Sequence, residues 1–124
     1  MALQQLRSWC REQLGHRHPQ AELVLTELAA NAIDHGDAGL VSVALTEGPN
    51  ELTIVVSNPL SAVQDDIGPP SSVSTDHARG RGLFLVNAVS TELSLLHVGT
   101  RLHATATLAS DHRQTSHLST ALGL

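Results

Sequence analysis

Tyrosine and lysine are absent from this 124-residue chain, and Trp9 and Phe84 are its only aromatic residues. A core must therefore be built from Leu, Val, Ile and Ala, which suffices for one domain of this size. Cys10 is the only cysteine. That excludes an intrachain disulfide and a cysteine-based zinc site. Basic residues are few: seven Arg stand against twelve acids, for a net charge of −5. A broad nucleic-acid surface is not expected. No stretch approaches the roughly 18 apolar residues of a membrane span, and residues 1–10 hold no apolar run of the signal-peptide kind. The composition points to a cytosolic protein with no direct contact to nucleic acid or membrane.

Periodicity supplies the elements. Residues 2–14 suit an amphipathic helix, with Leu3, Leu6, Trp9 or Cys10, and Leu14 on one side. A second helix is expected from Gln20 to His35, with Pro19 suited to its first turn and Gly36 to a left-handed stop. Residues 40–46 alternate Val41, Val43 and Leu45 against Ser42, Ala44 and Thr46, and residues 51–57 alternate likewise. With the turn at 47–50 they form an antiparallel hairpin. Residues 58–78 hold three prolines and no sustained period, the mark of a functional or disordered loop. Helical pattern returns over 82–89. Residues 92–98 and 101–109 are two more strands around Gly99-Thr100. Residues 110–124 form a polar tail, expected to be flexible, so the folded domain is 1–109. Helices on one face of a mostly antiparallel sheet make an α/β two-layer sandwich.

Two groups of residues carry chemistry. Apolar residues cover most of the second helix, yet Glu27, Asn31 and His35 sit at i, i+4 and i+8 on one face. A carboxylate and an amide oxygen one turn apart suit a magnesium ion and an attacking hydroxyl. A plain solvent-facing stripe has the same spacing. Arg79-Gly80-Arg81-Gly82-Leu83 ends the long loop and opens a helix. Glycines allow close backbone approach, and the free N–H groups of a helix start, with arginines nearby, favour phosphate. A loop tip with ordinary surface arginines would read the same way. His16 and His18 form a His-x-His without companion ligands, so no metal is expected there. Asp65 and Asp66 read as solvated loop charges, and His77 as a surface residue of the loop.

Together, in this order, the two groups resemble the GHKL (histidine-kinase-like) ATPase pattern of the anti-sigma-factor serine/threonine kinase type. Glu27-Leu28-Ala29-Ala30-Asn31-Ala32-Ile33-Asp34-His35-Gly36 resembles that family's N box. Arg79 to Val86 resembles its glycine-rich box, and Gly99-Thr100 its final box, whose Thr lies near the adenine. The resemblance runs from about Leu6 to Leu108. It implies the Bergerat two-layer fold with ATP and Mg²⁺ as cofactors. It also implies Glu27 as general base and Asn31 as the magnesium contact. ATP would be bound by Asn31, His35, Asn58, Arg79, Gly80, Arg81, Gly82, Leu83 and Thr100, and residues 58–78 would be the lid.

Two departures from the pattern matter. The family puts Asp just after the second hairpin strand and Gly two residues later; here Asn58 and Leu60 stand in those places. An amide can present its oxygen to adenine or its NH₂ to guanine, so weaker base discrimination is expected. The chain also lacks the family's extra first strand, which leaves a sheet edge open or covered by a partner. The implied activity is an ATP-dependent protein serine/threonine kinase acting on a small antagonist protein. The implied partners are that antagonist and a sigma factor, and a homodimer is compatible with the sequence. The missing Asp and Gly also suit a non-catalytic switch of the same fold. A detached ATP-binding domain of a sensor histidine kinase is a third reading, since some of those carry Asn at this place.

Overall fold

The structure is a computed structural model that describes residues 2–15, 17–37, 39–60, 78–109 and 116–122. Helix α1 (Ala2–Leu14) is followed by α2 (Ala21–His35), β1 (Val41–Glu47), β2 (Glu51–Pro59), α3 (Ala78–Val89), β3 (Glu92–Val98), β4 (Arg101–Ala109) and β5 (Ser116–Leu122). The strands form one sheet in the order β3-β4-β2-β1-β5, and each neighbouring pair is antiparallel. The helices pack on one face of it, which is the α/β two-layer sandwich expected from the sequence pattern.

Alternation decides the faces. Val41, Val43 and Leu45 of β1, Leu52, Ile54 and Val56 of β2, and Leu102, Ala104, Ala106 and Leu108 of β4 are all buried. Each buried Leu, Ile or Val contributes about 1.5–3 kcal/mol. Leu6, Cys10 and Leu14 recur every fourth residue and place α1 in the same core, while α2 buries Ala21, Val24, Leu25, Leu28, Ala29 and Ala32. Trp9 is only partly buried at the margin, so an aliphatic core carries the domain. No helix among the described residues is long and apolar enough to cross a membrane.

The strand at 116–122 corrects one expectation. Residues 110–124 were expected to be a polar tail outside the fold, but Ser116–Leu122 pairs with the whole of β1, from Glu47↔Ser116 to Val41↔Leu122. The edge of the sheet beside β1 is thereby filled from the C-terminal side. The signal is weak in the sequence because this strand is recruited by unpaired backbone N–H and C=O groups, which any residue carries.

A buried clasp joins the α1–α2 link to the far end of β1. Glu47 is only 2% exposed. It accepts from Arg17 Nε and Nη2, both at 3.0 Å, and its Oε2 lies 2.9 Å from His18 Nε2. The His-x-His thus has one member, His18, committed to a carboxylate, and His16 lies outside the described residues. On the surface, Arg11 grips Glu22 through two hydrogen bonds of 3.0 and 3.1 Å, tying α1 to α2. That guanidinium holds the Glu22 carboxyl below its usual range.

Candidate functional site

Glu27 and Asn31 lie where α2 passes from its buried face to solvent, and both are half-buried; His35, one turn on, is exposed. Among the described residues, no hydrogen bond or ion pair engages the Glu27 or Asn31 side chain. Two polar groups one turn apart are thus held on a rigid helix, with their polar ends available to a ligand.

The C-terminal end of α2 abuts the end of β2. Gly36 N–H donates to Ala32 O at 2.9 Å, and Asp37 N–H donates to Pro59 O at 2.8 Å. Gly36 does not take the left-handed conformation expected of it: φ is −89° and ψ is 170°, an extended backbone open to any residue. Its need for glycine is steric. A methyl group there would overlap Asn58 Nδ2 and sit 2.6 Å from Ala32 O and 3.0 Å from Pro59 O. The His-Gly pair that ends the motif therefore lets α2 press against Asn58 and Pro59.

Asn58 is buried. Its Nδ2 donates to Pro59 O at 3.0 Å. With the NH₂ side committed to the backbone, Oδ1 is left as the acceptor. The strand runs two residues further than its alternation suggests, so Asn58 and Pro59 belong to β2 and Leu60 is buried. The lid expected from Asn58 to Ala78 therefore cannot start at Asn58, and Ala78 already opens α3. Cross-strand pairing to β4 reaches Pro59↔Arg101 and holds this end in the sheet. Residues 61–77, including Asp65, Asp66 and His77, lie outside the described residues.

Thr100 arrives at the same place. Leu60 N–H donates to Thr100 O at 2.8 Å, and His97 Nε2 lies 2.6 Å from Leu60 O, where only a protonated nitrogen can donate. Arg101 completes the joint, a residue that motif reasoning passed over. Its Nε donates to Ser57 Oγ at 2.7 Å, and its Nη2 donates to Ser57 O and Leu40 O, both at 2.9 Å. One guanidinium thus fastens β4, β2 and the start of β1 immediately beside Asn58. No local signal marks it in the sequence, because its place opposite Pro59 is set by the pairing of β2 with β4.

Helix α3 packs along α2. It begins at Ala78 and not at Gly82, so Arg79, Gly80, Arg81, Gly82 and Leu83 all lie in its opening turns. Two helical glycines cost about 1 kcal/mol each relative to Ala, which is why propensity reasoning places the start later. Anchoring of the helix through fully buried Val86 outweighs that cost. The first four N–H groups of such a helix have no intrahelical partner.

Cys10 has no place in this chemistry. Burial, assisted by the Glu22 charge, pushes its thiol up to about 11, so it is not a nucleophile near neutrality.

The sequence matches the family described as Histidine kinase-like ATPase domain over residues 2–107. Among curated proteins, none matches the chain.

Proposed function

The chain belongs to the histidine kinase-like ATPase domain family, and from that premise we propose an ATP-binding regulatory protein that phosphorylates a Ser or Thr of a small antagonist protein. The supporting observation is convergence: the end of α2, Asn58 and Thr100 meet at Pro59–Leu60, and α3 packs along α2 with its glycines at its start. In this reading Asn58 Oδ1 accepts from the adenine amino group, with Thr100 close to the base. The N–H groups at the start of α3, with Arg79, Gly80, Arg81, Gly82 and Leu83, hold the phosphate chain. His35 borders the same space.

A magnesium ion fits the donor set. Mg²⁺ is bound through one or two protein oxygens plus phosphate oxygens and water, and Asn31 offers one half-buried oxygen beside the carboxylate of Glu27. When bound, the ion neutralises charge on the phosphates. Glu27 takes the proton from the substrate hydroxyl. That oxygen forms a bond to the γ-phosphorus as the bond to the ADP oxygen breaks, and ADP leaves with the electron pair. The partners in this proposal are the phosphoacceptor antagonist and a sigma factor held by the same domain, with Mg·ATP as the phosphoryl donor.

Calorimetric titration with ATP, with and without magnesium, tests the site. Asn31→Ala should weaken Mg·ATP by about tenfold or more, the equivalent of about 1.5–3 kcal/mol for a contact to a charged group. Glu27→Gln should leave affinity nearly unchanged and slow phosphate transfer to an antagonist by about a hundredfold or more. Absence of ATP binding by the parent would refute the nucleotide site. Equal transfer by parent and Glu27→Gln would refute the base.

A further inference from the structure

Proline inside a sheet removes a ladder hydrogen bond, and β2, which lies between β4 and β1, carries Pro59. The register identifies the bond that is missing. Leu60 N–H donates to Thr100 O, continuing the pairing in which Asn58 opposes Leu102 and Pro59 opposes Arg101. In an antiparallel ladder, successive residues of a central strand bond to alternate neighbours. Asn58 and Leu60 therefore bond to β4, while Ser57 and Pro59 face β1. The β1–β2 register pairs Ser42 with Ser57, and two residues further it sets Leu40 opposite Pro59. Residue 59 would donate to Leu40 O, but proline has no N–H. The Arg101 guanidinium takes over that bond: its Nη2 donates to Leu40 O at 2.9 Å.

The same guanidinium holds the residue before Asn58. Nη2 also donates to Ser57 O at 2.9 Å, and Nε donates to Ser57 Oγ at 2.7 Å. Ser57 O belongs to the peptide group that ends at Asn58 N, so Arg101 fixes the plane by which the chain enters Asn58. Pro59 restrains the chain as it leaves, because its ring keeps the preceding residue extended. Pro59 O in turn accepts from Asn58 Nδ2 at 3.0 Å and from Asp37 N–H at 2.8 Å. Gly39 lies so close to Pro59 that an added methyl group would sit 2.8 Å from its Cγ. The link between α2 and β1 is thus pressed onto Asn58 and Pro59 at Gly36 and Gly39 and tied down at Leu40 by Arg101.

Arg101 acts from the far side of the sheet. Leu102, Ala104 and Ala106 are buried under the helices, so by alternation Arg101 belongs to the helix-free face. Ser57, between the core-facing Val56 and Asn58, belongs to the same face. A nucleotide beside α2 and α3 lies on the other face, out of reach of the guanidinium. Taking the site as the nucleotide pocket argued above, we propose that Arg101 is a positioning residue that sets base selectivity. Standing in for the missing Pro59 N–H, it keeps Asn58 Oδ1 presented to adenine and Nδ2 withheld from guanine. Turning the amide over would place Oδ1 against Pro59 O, acceptor against acceptor. That penalty lasts only while Pro59 O is held in place. Without Arg101, Leu40 O turns to water, the α2–β1 link is no longer tied to β4, and Pro59 O shifts with Asp37. The amide is then free to present either end. Loss of Arg101 therefore weakens ATP and spares GTP, whereas a purely structural role would weaken both alike.

Competition titration of ATP against GTP on the full chain tests the proposal, with urea unfolding to check that each variant folds. Arg101→Met keeps an apolar stem and removes the donors. It should weaken ATP by about tenfold and GTP by less than about twofold. Ser57→Ala removes only the acceptor of Nε and should lower the ATP-to-GTP preference by about twofold or more. The decisive variant is a second-site rescue. Pro59→Ala returns an N–H to residue 59, in register to donate to Leu40 O itself. Added to Arg101→Met, it should restore about threefold or more of the lost preference; added to the parent, it should not raise the preference. Equal losses of ATP and GTP in Arg101→Met overturn the proposal, as does a double variant no more selective than Arg101→Met. If Arg101→Met does not fold, an unchanged preference in Ser57→Ala overturns it. A parent that binds neither nucleotide refutes the site itself, and the role of Arg101 falls with it. A parent that binds ATP while its variants fail these tests refutes the role of Arg101 alone.

Discussion

Replacing Gly36 with Ala separates two kinds of glycine and probes the joint on which the site depends. At φ −89° and ψ 170°, alanine is at home in the backbone. In open space the change would stabilise the protein by about 0.4–1 kcal/mol, because the unfolded chain loses freedom. The new methyl group, however, would overlap Asn58 Nδ2 and sit 2.6 Å from Ala32 O. Forcing one methyl group into packed surroundings costs about 1–3 kcal/mol. If Pro59 gives way, the bond from Asp37 N–H, now 2.8 Å, contributes a further loss of about 1 kcal/mol. The balance is a destabilisation of roughly 1–3 kcal/mol. With a urea slope of about 1–3 kcal/mol/M for a domain of this size, the midpoint should fall by about 1 M. Because the strain falls on Asn58, affinity for ATP should fall as well. Gly15→Ala is the contrast. Gly15 has φ 58° and nothing within 4 Å of an added methyl. It should destabilise by about 1–2 kcal/mol through its backbone alone and leave nucleotide affinity as it was. Urea unfolding followed by circular dichroism, with calorimetry on the same variants, reads both effects. A Gly36→Ala protein at least as stable as its parent, with unchanged ATP affinity, would refute the close contact between α2 and Asn58.

The Glu47 clasp predicts that Glu47→Gln loses about 3 kcal/mol, since it strips the carboxylate from Arg17 and from a buried His18; a urea midpoint within about 0.3 M of the parent would contradict this. Cys10 should resist thiol reagents in the native state. Its folded pKa of about 11 lies above the 9.0 of a free thiol, so its contribution is whole below pH 9 and lost as pH rises towards 11; stability measured across that window should decline less in Cys10→Ala. Because Asn58 Nδ2 already donates to Pro59 O, the remaining acceptor, Oδ1, should favour ATP over GTP in competition titrations, against the weaker discrimination expected of a freely turning amide. Asn58→Asp should cost about 1–3 kcal/mol of stability, since a carboxylate oxygen would then face that carbonyl with no proton between them; an equally stable variant would mean that the amide is turned the other way.

Local rules made much of this protein legible in its sequence. Strands β3 and β4 and helix α1 lie where period and turn residues put them, because alternation and a Gly-initiated hairpin act over a few residues. The Glu27/Asn31/His35 stripe and the glycine-rich helix start were legible for the same reason: spacing along one helix and backbone freedom are local properties. What the sequence could not determine were relations between distant segments. That Ser116–Leu122 closes the sheet beside β1 depends on unpaired backbone groups, which carry no side-chain signal. That Gly36 is glycine for lack of room, and not for a left-handed turn, depends on Asn58 lying against it from 22 residues along the chain. That Arg101 fastens Ser57 and Leu40 depends on register across the sheet, and that Glu47 is shared by Arg17 and His18 depends on the α1–α2 link docking against β1. Such contacts pay their entropy of closure only once the sheet has formed, so the tertiary structure alone decides them.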